Sequence, residues 1–200
     1  MLFTIILNRE TYMEKLTERV RKYALGVLSP SRYEHSVRTA ETAHRMCCMY
    51  GLNPARGYFA GIAHDMCKEM SDRLILSFVS KDGMAVSELE QEKPSLLHGR
   101  AAASMLQNDF GLEDKDILDA IRFHTFGMPG LCDLGKILYV ADKIEPGREH
   151  ITEDVYNELL SMSLDDVVIK VIKDNVNYLN KKKKKIATIT HRFLESLEVK

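Results

Sequence analysis

The chain lacks the features of a membrane-spanning, secreted or strongly charged protein. Its 200 residues contain no tryptophan, and no apolar run approaches the roughly 20 residues that cross a bilayer. The formal net charge is −1, so no overall field attracts nucleic acid or an acidic membrane. The apolar start, Met1–Leu7, has neither a basic segment nor a cleavage site, and we expect an added or fringe segment ahead of the first helix. These absences predict a cytoplasmic protein without nucleic-acid or membrane partners.

The four cysteines form no C-x-x-C pair, which argues against a zinc ribbon or a thioredoxin motif. Reduced thiols are the expected state. The neighbours Cys47 and Cys48 suit a buried helix, and Cys67 is expected to pack in the core as a small apolar residue.

The sequence also lacks a convincing period-2 strand pattern, and it is predicted to be all-α. Ser31 is expected to cap the second helix, with Glu34 three residues later completing a capping box. Residues 71–93 are less regular, and Pro94 is expected to open the next helix. Helices are predicted at about residues 9–28, 31–50, 112–124, 152–161, 164–179 and 186–198. Three more are predicted to begin near residues 53, 94 and 133 and to carry His64-Asp65, His98 and Asp142, respectively.

One low-complexity segment stands out, the lysine run Lys181–Lys185. Such a run can contact nucleic acid or acidic lipid. It can equally be a solvated turn between the last two helices. The rest of the chain is not basic and no aromatic residue interleaves with the lysines, so the turn is favoured.

Ligand-type side chains occur within or at the ends of apolar helices. The dipeptide His64-Asp65 follows a largely apolar run, Asp142 follows another, and His124 ends a third. Burying such groups costs free energy unless they are paired or bound to metal, so a shared interior site is predicted. Two adjacent metal ions indicate hydrolysis, most often of a phosphate ester or anhydride. The complete set of four imidazoles and two carboxylates is His35, His64, Asp65, His98, His124 and Asp142.

The other histidines are not expected to join this set. His44 is nine positions beyond His35, about half a turn away around a helix, so one metal cannot easily use both. His150 and His191 have no suitable ligand-type neighbours and are assigned to the surface or to packing.

Five segments carry a family resemblance. The chain resembles the HD-domain superfamily of metal-dependent phosphohydrolases, and within it the YqeK-type symmetrical diadenosine tetraphosphate hydrolases linked to NAD metabolism. The resemblance covers about residues 30–150, and the tail 177–194 also looks familial. The matching segments are residues 32–36 (RYEHS), 63–68 (AHDMCK), 96–99 (LLHG), 121–125 (IRFHT) and 141–148 (ADKIEPGR), of which the last is the most specific.

This resemblance implies one HD-type helical bundle over residues 1–200, with its core at about 30–150 and the helices of 152–198 packed on it. It implies a dinuclear site in which Asp65 bridges two ions, and a homodimer is left open. Iron or manganese is favoured over zinc because the set has no thiolate, and nickel and magnesium stay open. The first ion would take His35, His64, Asp65 and Asp142, and the second Asp65, His98 and His124.

The implied reaction is hydrolysis of diadenosine tetraphosphate at its central bridge to two ADP. Alternatives are another nucleotide phosphohydrolase of the superfamily (a dNTPase, a nucleotidase or a phosphodiesterase) and a non-catalytic nucleotide sensor. Asp65 and Lys68 are the predicted catalytic residues, although Lys68 can instead pair with Glu69 or Asp72. Lys143 stands where the family often has an aromatic or apolar residue. The predicted substrate contacts are Arg32, Lys68, Arg100, Thr125, Gly127 and Arg148.

Overall fold

The computed structural model describes residues 2–199, with side chains from residue 12 onward, and this part of the chain is helical without a strand. None of its helices combines the length and apolar character that crossing a membrane requires. A short 3-10 helix, Pro94–Leu97, precedes α6. The α-helices in chain order are α1 (Leu2–Val27), α2 (Pro30–Met49), α3 (Pro54–Ala63), α4 (Asp72–Val79), α5 (Glu88–Glu92), α6 (His98–Asn108), α7 (Lys115–Phe123), α8 (Asp133–Ile144), α9 (Glu153–Leu160), α10 (Leu164–Lys181) and α11 (Thr188–Glu198).

The predicted starts of the first two helices are wrong. Helix α1 begins at Leu2, so the described part of the apolar start belongs to the helix rather than preceding it. Helix α2 begins at Pro30, because a proline fits the first helical position, where its missing N–H is not needed. Ser31 therefore lies inside the helix and cannot cap it. Ser29 occupies the cap position, and its backbone N–H and hydroxyl both donate to Glu69.

Segment 71–93, which the sequence pattern described only as less regular, contains two helices, α4 and α5. Helix α4 presents only a narrow apolar face, with Ile75 and Val79 buried. Helix α5 has five residues and begins with a capping box in which Ser87 and Glu90 bond each other's backbone N–H groups. The α-helix predicted to start at Pro94 starts four residues later, at His98, because Pro94 opens the 3-10 turn instead.

Close helix packing brings the ligand-bearing elements together. A Cβ at Gly61 of α3 would lie 2.4 Å from the Cα of Ala40, so only glycine lets α3 approach α2 this closely. A Cβ at Gly99 of α6 would meet the Ile121 carbonyl oxygen at 2.7 Å, which gives the same reason for the contact of α6 with α7. Helix α8 packs against α2, α3 and α7 and completes the core.

The C-terminal helices pack on this core through α8. Helix α10 contacts α8 and α11, and the ring of Phe193 in α11 meets Tyr139 in α8 edge to face at 5.7 Å. That the whole chain forms one domain stays a prediction.

The cysteines are unpaired. Cys47 and Cys67 are buried, and burial raises the pKa of their thiols to about 11 and about 12, respectively. Cys48 is exposed, which corrects the expectation that both neighbours are buried: adjacent residues on a helix point about 100° apart.

Candidate metal centre

Six ligand-type side chains meet where five helices (α2, α3, α6, α7 and α8) end or pack together. His64 is the C-terminal cap of α3 and Asp65 follows it directly, whereas His124 caps the end of α7. His98 is the first residue of α6. His35 projects from α2 and Asp142 from the last turn of α8, so long-range packing brings all six together.

The Asp65 carboxylate is the centre of the cluster, and its two oxygens face different partners. On one side Oδ2 lies 3.8 Å from His35 Nε2 and 3.5 Å from His64 Nε2. Asp142 Oδ1 completes this side, 3.1 Å from His35 Nε2 and 3.7 Å from His64 Nε2. We call this group of His35, His64 and Asp142 the first side.

On the other side of Asp65, Oδ1 lies 2.9 Å from His98 Nε2 and 3.7 Å from His124 Nε2. The two Nε2 atoms are 3.0 Å apart. We call His98 and His124 the second side. The ligand atoms of His35, His64 and Asp142 lie within 4.8 Å of one another, as do those of His64, Asp65 and His124. Either group can hold a metal ion, and Asp65 has one oxygen turned toward each side.

Each imidazole is held through Nδ1, which leaves Nε2 turned toward Asp65. His64, His98 and His124 approach the carbonyl oxygens three residues before them, at 2.7, 2.8 and 2.7 Å. His35 Nδ1 approaches the carboxylate of Glu145 at 3.1 Å. Such contacts on the second ring nitrogen fix the tautomer that presents Nε2 to a metal.

Two histidine nitrogen atoms without hydrogen-bond partners also indicate that the cluster can hold a metal. The Nε2 atoms of His35 and His64 are buried and make no hydrogen bond of acceptable geometry among the described residues. A buried polar atom without a partner is costly, and a metal ion would satisfy both atoms. The set of imidazole and carboxylate donors without thiolate suits ions such as iron or manganese.

The electrostatics favour the deprotonated forms of Asp65, Asp142 and His124, but not of His35. Burial lowers the pKa of His35, but the carboxylates of Asp142 and Glu145 outweigh this effect and raise it. Burial opposes ionisation of Asp65, but the electrostatic influence of His64 and hydrogen bonds from His124 and His98 hold the pKa of that carboxyl well below its ordinary value. Burial also opposes ionisation of Asp142, but Lys143 and His35 lower its pKa well below the ordinary range. Burial lowers the pKa of His124 to about 4. Deprotonated carboxylates and neutral imidazole are the forms that bind metal.

Glu145 is a functional position that the sequence reasoning missed. It is almost fully buried, accepts a hydrogen bond from Arg38 Nε at 2.5 Å and another from the Gly147 N–H at 2.6 Å, and orients His35. Burial opposes ionisation, but hydrogen bonds from His35 and Arg38 lower the pKa of Glu145 to about 2. Its position three residues after Asp142, next to it around the helix, was the available signal.

Four of the predicted substrate contacts line a cavity that opens onto the cluster: Arg32, Lys68, Thr125 and Arg148. Lys68 Nζ lies 3.4 Å from both ring nitrogens of His98. The Thr125 hydroxyl is buried and has no hydrogen-bond partner among the described residues. The two arginines are already engaged, since Arg32 Nη1 lies 3.0 Å from Asp65 Oδ2 and Arg148 Nη2 lies 2.8 Å from Asp142 Oδ1. Both therefore hold predicted ligands in place.

The other two predicted contacts, Arg100 and Gly127, do not line this cavity. Arg100 is buried against the loop before α5, where it bonds both carboxylate oxygens of Asp82. Gly127 has a positive φ of 70°, and a Cβ there would lie 2.1 Å from the ring of Phe193. In the structure Arg100 anchors a loop and Gly127 packs against a helix, and their contact with substrate stays a prediction.

Lys143, noted in the sequence as a departure, forms part of the cavity wall. Its Nζ donates to the His124 carbonyl oxygen at 3.1 Å and lies 3.7 Å from the centre of the Tyr139 ring. Burial lowers its pKa. Together with Arg32, Lys68 and Arg148 it surrounds the cluster with positive groups that attract phosphate.

The cavity, about 1460 Å³ in volume, extends from the cluster to α9, α10 and the segment before α11. The lysine run begins at the last residue of α10 and continues as the exposed turn predicted from the sequence. Lys184 and Lys185 also line the cavity, which the sequence did not indicate, and Lys185 forms an ion pair with Glu92 at 2.6 Å. Of the remaining histidines, His44, His150 and His191 are exposed, and His150 lies at the cavity wall.

The family model for the HD domain matches residues 32–147, the segment that carries all six clustered side chains. The chain belongs to the HD-domain family. Among its relatives, the symmetrical bis(5'-nucleosyl)-tetraphosphatase of Bacillus subtilis is 34% identical, over 78% of this chain and 83% of that protein. The protein of the same name from Staphylococcus aureus is 30% identical, over 82% and 86%.

A solved structure shares the fold of this HD-domain chain. It is that of a predicted HD-superfamily hydrolase involved in NAD metabolism from Clostridium acetobutylicum, with a TM-score of 0.83 and 28% identity. The match covers 90% of this chain and 95% of that one.

Proposed function

We propose that this protein hydrolyses diadenosine 5',5'''-P1,P4-tetraphosphate symmetrically to two ADP. The reaction breaks the central phosphoanhydride P–O bond: water oxygen adds to one inner phosphorus, and the other half leaves as ADP. The relatives' printed names supply the substrate. The observation that carries the chemistry is the Asp65 carboxylate, with one oxygen facing His35 and His64 and the other facing His98.

We assign His35, His64, Asp65 and Asp142 to one ion and Asp65, His98 and His124 to the other. When bound, two such ions supply Lewis acidity and lower the pKa of water toward neutrality. Iron as the native metal and a cytoplasmic location stay predictions, and a homodimer stays open.

The positive groups at the cavity wall have different roles in the proposed reaction. Lys68 and Lys143 face the cavity beside His98 and His124 and neutralise phosphate oxygens. We assign Lys68, the closer of the two to His98, to the leaving ADP. The Thr125 hydroxyl, which lacks a partner among the described residues, donates to a phosphate oxygen. Arg32 and Arg148 act mainly by holding Asp65 and Asp142 in position.

The test is an assay of the wild-type chain with Mn²⁺ or Fe²⁺ on diadenosine tetraphosphate, with products separated by anion-exchange chromatography. We expect ADP as the sole nucleotide product. The double variant His64→Ala/Asp65→Ala should be inactive and depleted of metal, whereas His44→Ala, which removes an exposed histidine, should match wild type. AMP plus ATP, or cleavage of mononucleotides alone, would contradict the proposal. A metal-free wild type that binds nucleotide without cleaving it would favour a sensor.

A further inference from the structure

The cavity is larger than one nucleotide requires. Pockets for drug-sized ligands enclose roughly 300–1,000 Å³. This one encloses about 1460 Å³ and continues past the metal-ligand cluster to α9 and α10. The far end is walled by α9, α10 and residues 184–187, and we call it the C-terminal end of the cavity.

The two ends of the cavity differ in chemistry. Around the cluster the wall carries positive groups that suit phosphates, as described above. The C-terminal end offers apolar surface from Val155, Leu159 and Val171, together with the side chain of Asn175. Its charges are partly neutralised within the wall, because Lys170 lies 3.8 Å from Asp174 and Lys185 lies 2.6 Å from Glu92, while Lys184 adds one further positive group. A surface of apolar and hydrogen-bonding groups suits a nucleoside better than a phosphate chain.

An aromatic side chain is exposed at this end. Tyr178 of α10 lines the cavity and exposes 52% of its surface. Among the large apolar and aromatic side chains that are exposed in the described part of the chain, it alone lines the cavity. An exposed ring on a ligand-facing wall can stack a base, because every base has a flat π face.

We propose that the C-terminal end of the cavity binds the nucleoside of one of the two ADP units, with Tyr178 stacking on its base. This proposal rests on the proposed function, since the substrate of that reaction carries a second nucleoside beyond the phosphates that meet the cluster. Tyr178 is then a specificity-determining residue: it makes the enzyme prefer a substrate with two nucleosides over one with a single nucleoside and the same four phosphates.

The experiment compares diadenosine tetraphosphate with adenosine 5'-tetraphosphate, which lacks the second nucleoside. The KM of the dinucleotide and the inhibition constant of adenosine 5'-tetraphosphate are measured for wild type, Tyr178→Ala and Tyr178→Phe. For Tyr178→Ala we expect KM to rise roughly tenfold, the effect of losing one base–aromatic stack, with a smaller change in kcat. The wild-type preference for the dinucleotide should then largely disappear, and Tyr178→Phe, which keeps the ring, should restore it.

Tyr12→Ala is the matched control, because Tyr12 is 47% exposed and does not line the cavity. It should leave both constants unchanged. If Tyr178→Ala changes neither constant, the nucleoside subsite is wrong. If it weakens both ligands equally, Tyr178 does not determine the preference for two nucleosides. A wild-type enzyme that releases no ADP from the dinucleotide would instead contradict the proposed function, so the two failures are distinguishable.

Discussion

The two sides of Asp65 are built differently. The first side contains a second carboxylate, Asp142, and a buried Glu145 that orients His35. The second side consists of His98 and His124, whose Nδ1 atoms face backbone carbonyls, and it adjoins two positive groups, Lys68 and Lys143. Carboxylates are therefore concentrated on the first side, where Arg32 and Arg148 pair with Asp65 Oδ2 and Asp142, whereas the second side adds only imidazoles to Asp65.

This difference indicates that the two proposed ions have different roles. A site with more carboxylate charge holds a cation more tightly, so we expect the first side to retain metal longer. The second side offers neutral imidazoles besides Asp65, and Lys68 and Lys143 beside it attract phosphate. We therefore expect the first side to anchor its ion and the second side to meet the substrate.

The shared residue should produce the largest effect. Asp65→Ala removes the carboxylate that faces both sides, and we expect activity to fall by on the order of 10³-fold or more, with loss of metal. The measurement is kcat/KM together with metal analysis of the purified protein. Retention of full metal content would show that Asp65 does not join the two sides.

Removing one imidazole from each side tests whether the first side holds its metal ion more tightly than the second. His98→Ala should leave the first side intact and keep about one ion per chain, with activity partly recovered at raised Mn²⁺. His35→Ala should weaken the more strongly held ion, with less recovery. The measurement is metal content after dialysis against a chelator. Equal losses of metal in His98→Ala and His35→Ala would contradict a difference in metal affinity between the two sides.

The buried carboxylate behind His35 should have an intermediate effect. Glu145→Gln keeps the shape of the side chain but removes the charge that orients His35, and such outer contacts typically contribute 10–100-fold to metal affinity or activity. Metal titration of the variant measures this. Glu41→Gln, at an exposed position of α2, is the control and should match wild type. A Glu145→Gln variant with unchanged metal affinity would contradict the assigned role.

Substitutions of Lys68 and Arg100 distinguish a residue that contacts the substrate from one that supports the fold. Lys68→Ala should lower kcat/KM by about tenfold, since a charge-assisted hydrogen bond to phosphate is lost. Arg100→Lys should leave kcat/KM nearly unchanged but lower the melting temperature, because the fork that binds Asp82 is lost. If Arg100→Lys lowered kcat/KM and Lys68→Ala did not, Arg100 rather than Lys68 would be the substrate contact.

The smallest effect concerns pH in the chelated protein. The pKa of Glu145 is about 2 in the fold, below its ordinary value of 4.5. A lowered carboxyl pKa stabilises the fold fully above pH 4.5, and this contribution is lost as pH falls toward 2. The difference in unfolding free energy between wild type and Glu145→Gln should therefore shrink over that range. Denaturant titrations at several pH values measure it, and a constant difference would be contrary evidence.

The sequence predicted the all-helical fold and the family, because apolar periodicity and motif spacing are local properties. The meeting of the six ligand-type residues was also expected, since isolated polar groups on apolar helices need partners. Their roles as ligands stay a prediction.

Other features depended on packing that no local pattern encodes. The cap at Ser29 depends on its contact with Glu69, forty residues away. The burial of Arg100 depends on Asp82, and the close packing of Gly127 depends on Phe193. Likewise, the lysine run looks like an ordinary turn in sequence, and only the path of α10 brings Lys184 and Lys185 to the cavity.

The most direct test of the central claim is an anomalous difference map from crystals grown with Mn²⁺. Two peaks about 3.5–4 Å apart, one beside each oxygen of the Asp65 carboxylate, are the predicted result. A single peak, or peaks that do not contact Asp65, would contradict a centre that Asp65 bridges.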